Sequence, residues 1–155
     1  MYLSIIILIY TIFVLFFFND VIIFGNTFAS GDSFNPYAIH HILDQIRLAS
    51  SEWPQWQPWI FSGMPTLEAF TYVNLLYLPS YFLDLLGVSD LNIQFMHLVF
   101  SAVSMFYLVQ KLIQNKKIAF ISGLLWMLNP FLITMIVYGH GSQMLTAAFF
   151  PITLL

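Results

Sequence analysis

Long apolar blocks alternate with short polar breaks along this chain, and one polar interruption is far longer than the rest. Tyr2–Phe18, Leu91–Gln110 and Ile118–Tyr138 carry no Asp, Glu, Lys or Arg, and each approaches the ~20 residues that cross a bilayer core as a helix. They lack the repeated apolar/polar alternation of a membrane barrel strand, so the pattern predicts helices. The first block has no positive region before it and exceeds the ~7–15 apolar residues of a signal-peptide core, so it is expected to be a retained membrane helix. The last apolar run, Leu145–Leu155, is about half a crossing. It is expected to be a shortened membrane helix beginning near 142, in the N-terminal fragment of a longer protein.

The long interruption, 25–90, holds most of the acids and three of the four Trp. Within Pro36–Ser50 the residues Ile39, Ile42, Leu43 and Ile46 fall at the i, i+3, i+4, i+7 spacing of one helical face, with Asn35 as expected N-cap and Pro36 at the first helical position. Tyr72–Gly87 is apolar but short, with Pro79 and Asp84 inside it, and reads as a second amphipathic helix lying along the membrane surface. Lys111, Lys116 and Lys117 mark the turn between the later helices as cytoplasmic by the positive-inside rule. A crossing at Tyr72–Gly87 would put all three lysines outside. The expected layout is a membrane helix over about 2–24, an outer loop over 25–90, membrane helices over about 91–110 and 118–138, and the shortened one, all in a single partial domain.

Composition sharpens the class. Hydrophobic residues make up 60% of the 155 and charged residues 7%, with mean hydropathy +0.85, against roughly 25% charged in soluble domains. Only four Lys and Arg are present, which excludes a nucleic-acid surface. The chain has no cysteine, which removes disulfides and thiolate metal sites. The fold class expected is all-α, a transmembrane helix bundle with a large outer first loop carrying amphipathic surface helices.

Three loop motifs, Gly31-Asp32, Pro54-Gln55-Trp56-Gln57-Pro58 and Phe61-Ser62-Gly63-Met64-Pro65, occur in this order, followed by Gly139-His140 and an apolar segment with Pro151. This arrangement resembles the bacterial YfhO family within the GT-C superfamily of integral membrane glycosyltransferases. Gln57 departs from the Asn expected in the Pro-Trp-Asn-Pro-like tract. The resemblance implies a GT-C-like fold in the inner membrane and transfer of a sugar from a polyprenyl-phosphate donor to a cell-envelope acceptor at the outer face. It places Asp32 as the loop carboxylate that deprotonates the acceptor hydroxyl.

Each candidate residue has a plainer role beside the chemical one. Asp32 is a base by resemblance or a turn residue in Gly-Asp-Ser. Arg47 is the only cation expected on the outer face and can grip phosphate oxygens, or it anchors to headgroups or pairs with Asp44 at i−3. His140, between two glycines, donates to phosphate or hydroxyl, or is a solvated loop residue. Tyr37, Phe61 and the Trp53, Trp56, Trp59 series, read as a stiff ribbon in an extended or polyproline-like stretch, stack on sugar rings or anchor at the interface, with Trp56 the substrate-binding candidate. Asp20 is an ionisable group near the outer end of the first helix, and His97 is expected to bond across helices. Gly63-Met64-Pro65 reads as a rigid turn. Glu52 and Glu68 have no spacing that requires a role. His40 and Asp44 make an incomplete metal pair. No protein-only metal site is expected, although a hard divalent cation held by Asp32 and substrate phosphate stays open. The non-enzymatic alternative is a lipid or glycan transporter or an assembly scaffold, whose polar or broken-helix features belong near the bilayer midplane.

Overall fold

The computed structural model describes residues 2–59, 61–66 and 78–155. They are mostly helical: α1 Tyr2–Phe17, α2 Asn19–Ile22, α3 Gly31–Ser50, strands β1 Trp56–Gln57 and β2 Met64–Pro65, α4 Leu78–Leu85, α5 Asp90–Ile113, α6 Lys116–Met127, α7 Pro130–Val137, α8 Gly141–Ala148 and α9 Phe150–Thr153. Two compact units result, one of residues 1–28 with 89–155 and one of 29–88.

The first unit packs its helices up and down. Ile6, Tyr10 and Val14 on α1 and Phe18 just after it recur every fourth residue and are buried in one core cluster with Phe95, Leu98, Ala102 and Phe106 of α5. Phe18 meets Phe95 near the start of α5 at 4.7 Å between ring centroids, so the two helices are antiparallel. Helices α5 and α6 form a hairpin closed by Gln114 in the left-handed region and by the Asn115 side chain, which accepts from the Lys117 and Ile118 amides. Gly141 sits against Gln94 near the start of α5, and the Lys111 ammonium near its end donates to the Leu155 carbonyl. The segment Gly141–Leu155 thus follows α5 along most of its length.

Tyr10 ties three helices at mid-height. Its ring stacks on Phe120 at 5.2 Å and its hydroxyl donates to the Phe120 carbonyl at 2.9 Å. Gly123, one turn further along α6, leaves the room this needs: a Cβ there would collide with the Tyr10 hydroxyl and lie 2.6 Å from the Ala102 carbonyl oxygen. Outside this core the helices stay apolar. Leu8, Ile12 and Phe16 on α1, and Ile121 and Leu125 on α6, are exposed.

Two expected membrane helices are interrupted. The first breaks at Phe18, and α1 has 16 residues, a rise of about 24 Å. The third breaks at Leu128–Asn129 because Pro130 has no amide hydrogen to donate; Asn129 caps the new start by accepting from the Phe131 amide at 2.9 Å. A further break, between α8 and α9, follows from Pro151, which cannot donate to the Ala147 carbonyl.

In the second unit α3 starts earlier than the Asn35-Pro36 pair implies. Its N-cap is Ser30, so the helix runs through Pro36, which cannot donate to the Asp32 carbonyl four residues before it. Only Ile39 and Leu43 of the expected apolar face are buried, whereas Ile42 and Ile46 stay exposed. Of the segment expected to form the second amphipathic helix, Leu78–Leu85 are helical as α4; Tyr72–Tyr77 lie outside the described residues. Helix α4 ends in a Schellman motif, with Gly87 at φ 75° and the Val88 amide donating to the Leu83 carbonyl.

Candidate functional site

The two Pro-rich motifs of the loop are partners of each other. Trp56 pairs with Pro65 and Gln57 with Met64 in an antiparallel ladder. The Thr66 amide donates to the Gln55 carbonyl at 3.1 Å, and the Thr66 hydroxyl donates to the Pro54 carbonyl. Phe61, Ser62 and Gly63 turn the chain with φ of 51°, 63° and 111°. Of the extended or polyproline-like alternatives expected for the aromatic ribbon over 53–59, Trp56–Gln57 takes the extended one as a short strand, and Met64-Pro65 is its partner strand rather than part of a turn. Ladder and side-chain bonds outweigh the polyproline tendency of isolated prolines.

Trp56 lies directly over Gly63. A Cβ at Gly63 would come within 2.6 to 2.8 Å of the indole, at a φ that L side chains rarely adopt. Gly63→Ala is expected to break this contact and to destabilise the hairpin by about 1–3 kcal/mol. Hydrogen exchange at the Thr66 amide should accelerate in step; unchanged protection there would show that the close approach is not needed.

Gln57 is the residue that sequence reasoning undervalued. It is wholly buried, and among the described residues neither its amide nitrogen nor its amide oxygen has a partner. A buried amide left unpaired costs about 1–3 kcal/mol, so a polar side chain here is expensive by itself. A departure from Asn offered no signal for this, because burial is decided by the hairpin.

Arg47, in the last turn of α3, pairs with Asp44 at 3.5 Å and places its guanidinium 4.5 Å over the Trp53 ring. The ion pair is partly exposed and contributes little energy; with the ring it fixes where the charge sits. This matches the plainer i−3 reading of Arg47. Asp32 is the second residue of the same helix. At 1.5 Å per residue the two are about 22 Å apart along the axis, too far to act on one reacting phosphate. For Asp32, Tyr37 and His40 the structure describes the backbone and not the side chain, and Glu68 lies outside the described residues.

His140 belongs to the other unit. Its amide donates to the Met135 carbonyl at 2.8 Å, and its carbonyl accepts from the Met144 amide at 3.1 Å. It is thus the N-cap residue of α8 and is half-buried. Gly141 beside it admits Gln94, whose Cδ would be 2.8 Å from a Cβ at that position. The Gln94 side-chain oxygen is buried without a partner among the described residues.

His97 is buried on α5 with its Nδ1 2.7 Å from the Ile93 carbonyl. A carbonyl only accepts, so Nδ1 carries the proton. The His97 ring contacts Phe149, at the α8–α9 break, with centroids 5.9 Å apart. Phe150 stacks on Trp126 at 6.1 Å. Trp126 precedes the α6–α7 break, and its Nε1 is buried without a partner among the described residues. Asp20 is exposed in α2. Among the described residues no three His, Asp or Glu side chains gather as a metal site would require.

No protein-family model matches the chain, and no curated protein and no solved structure matches it either.

Proposed function

We propose that this chain belongs to a polytopic membrane glycosyltransferase of GT-C type, similar to the YfhO family. It would transfer a sugar from a polyprenyl-phosphate carrier to an envelope acceptor at the outer face, with Asp32 as the base. The observation that carries this reading is the hairpin. Two of the motifs that carry the resemblance pair residue for residue, Trp56 with Pro65 and Gln57 with Met64, which supports their acting together. Arg47 and Trp56 then hold more distant parts of donor or acceptor, since α3 keeps Arg47 remote from Asp32.

Membrane insertion is supported by where the apolar surface lies. Leu91–Ile113 and Lys116–Val137 are long and apolar enough to cross a bilayer, yet only 39% and 22% of their most apolar stretches are buried. A core helix of a soluble protein would be mostly buried; a helix that is apolar on all sides and uncovered suits lipid. With the lysine turn inside, a single Cys at Ala49 should react with an impermeant maleimide added to intact cells, and one at Gln114 should not. Labelling of both from the same side would overturn the topology.

The transporter reading has its own support. The breaks at Leu128–Asn129 and Phe149–Phe150 flank Trp126 and His97, and Asn129 lies about 20 Å along its segment from Lys116, within a ~30 Å core. Interrupted helices at such depth line substrate sites in transporters. Sugar release from a panel of polyprenyl-phosphate sugars by the reconstituted full-length protein separates the two. New glycosidic product supports the transferase; movement of intact lipid-linked sugar across the bilayer without product supports the transporter.

A further inference from the structure

We infer that the α5–α6 turn is a docking site for the headgroups of anionic phospholipids. Three of the four basic residues of the chain, Lys111, Lys116 and Lys117, are exposed there; Lys111 donates to the Leu155 carbonyl, so Lys116 and Lys117 form the site. The two acids of this unit, Asp20 and Asp90, stand at its opposite end. Lys116 and Lys117 form the first turn of α6, which contains no acid. Cations are disfavoured at a helix N-terminus, where the dipole already favours an anion, so lysines and dipole reinforce one another. A shallow, open depression of about 380 Å³ lies beside them on the α6 surface, lined by Lys116, Lys117, Phe120 and Ile121. Leu112, Ile113, Ile118 and Ile121 around it are exposed and apolar.

This pairing of charge and hydrocarbon selects the ligand. A soluble phosphate compound would use the ammonium groups and leave the apolar rim in water. A phospholipid satisfies both, its phosphate at the lysines and its acyl chains along Phe120 and Ile121. Basic residues next to the end of a membrane helix attract anionic lipid at about 1 kcal/mol each, or about five-fold in occupancy per lysine. The inference rests on the membrane insertion argued above, not on the transferase chemistry.

The test uses the full-length protein in bilayers of equal phosphatidylglycerol and phosphatidylcholine, with lipids that remain bound counted by native mass spectrometry. Phosphatidylglycerol should be enriched on the wild type. The Lys116→Gln/Lys117→Gln variant should reduce the enrichment about 25-fold at that five-fold per lysine, while Lys116→Arg/Lys117→Arg keeps it. Equal retention of the two lipids by the wild type, or enrichment that survives in the Gln variant with native helicity, overturns the docking site. Displacement of the lipid by soluble glycerol phosphate at equal concentration overturns the choice of a lipid over a free phosphate compound. Alkaline extraction reports on insertion separately: protein that washes off the membrane sinks the membrane reading itself.

Discussion

Asp32→Asn is expected to lower sugar transfer by the reconstituted full-length protein about 10²- to 10⁴-fold, the range that a positioned general base contributes. Amide for carboxylate keeps size and removes the proton acceptor, so the loss should fall on kcat and leave KM for the donor nearly unchanged. Position makes the contrast with Arg47 informative. Asp32 is the second residue of α3 and Arg47 lies in its last turn, about 22 Å away. Arg47→Ala removes the Asp44 pair and the Trp53 contact without touching the reacting centre. It should alter KM for acceptor or donor and leave kcat within a few-fold. Equal loss of kcat in both variants would place the chemistry elsewhere, and full turnover by Asp32→Asn would remove that carboxylate from the mechanism.

Gly123→Ala should destabilise the helical unit by about 1–3 kcal/mol, the usual range for overpacking. The sign is the informative part. At an exposed helical site the same change would stabilise by nearly 1 kcal/mol, because Gly is a poor helix former. Here an added methyl meets the Tyr10 hydroxyl and the Ala102 carbonyl oxygen, the latter at 2.6 Å. The side chain can rotate away, but the backbone of α5 cannot. Tyr10→Phe should cost about 0.5–1.5 kcal/mol through loss of its bond to the Phe120 carbonyl. The double variant should cost less than the two single losses together by more than 0.5 kcal/mol, since methyl and hydroxyl compete for one space. Thermal unfolding in detergent followed by helical circular dichroism measures all three; additive losses would mean that Tyr10 and Gly123 do not share the contact.

Helix existence was legible where apolar residues run unbroken, as in α5 and α6, because burial or lipid contact requires backbone bonds to close within the segment. Helix continuity was less legible. Pro130 and Pro151 were visible, but whether a proline kinks, breaks or is absorbed depends on what satisfies the backbone groups that a break frees. Asn129 supplies a cap at one break, while at Pro36 the helix simply continues. Candidate side chains were legible by type and not by company. Arg47 pairs with Asp44 as spacing allows, but its seat over Trp53 depends on how the chain turns after Ser51, which has φ 58°.

The sequence by itself determined that this is a helical chain with long apolar segments around one large polar insertion, and that its lysines gather at one turn. Those properties are local: they follow from run length, periodicity and charge. Only the tertiary structure decided that the Pro-Trp and Gly-Met-Pro tracts form one hairpin, that Gly63 and Gly123 are landing places for Trp56 and the Tyr10 hydroxyl, and that Gln57 is buried with an unpaired amide among the described residues. These depend on which surfaces come within a few ångströms of each other. That is fixed by mutual packing of segments distant along the chain, so no single segment contains it.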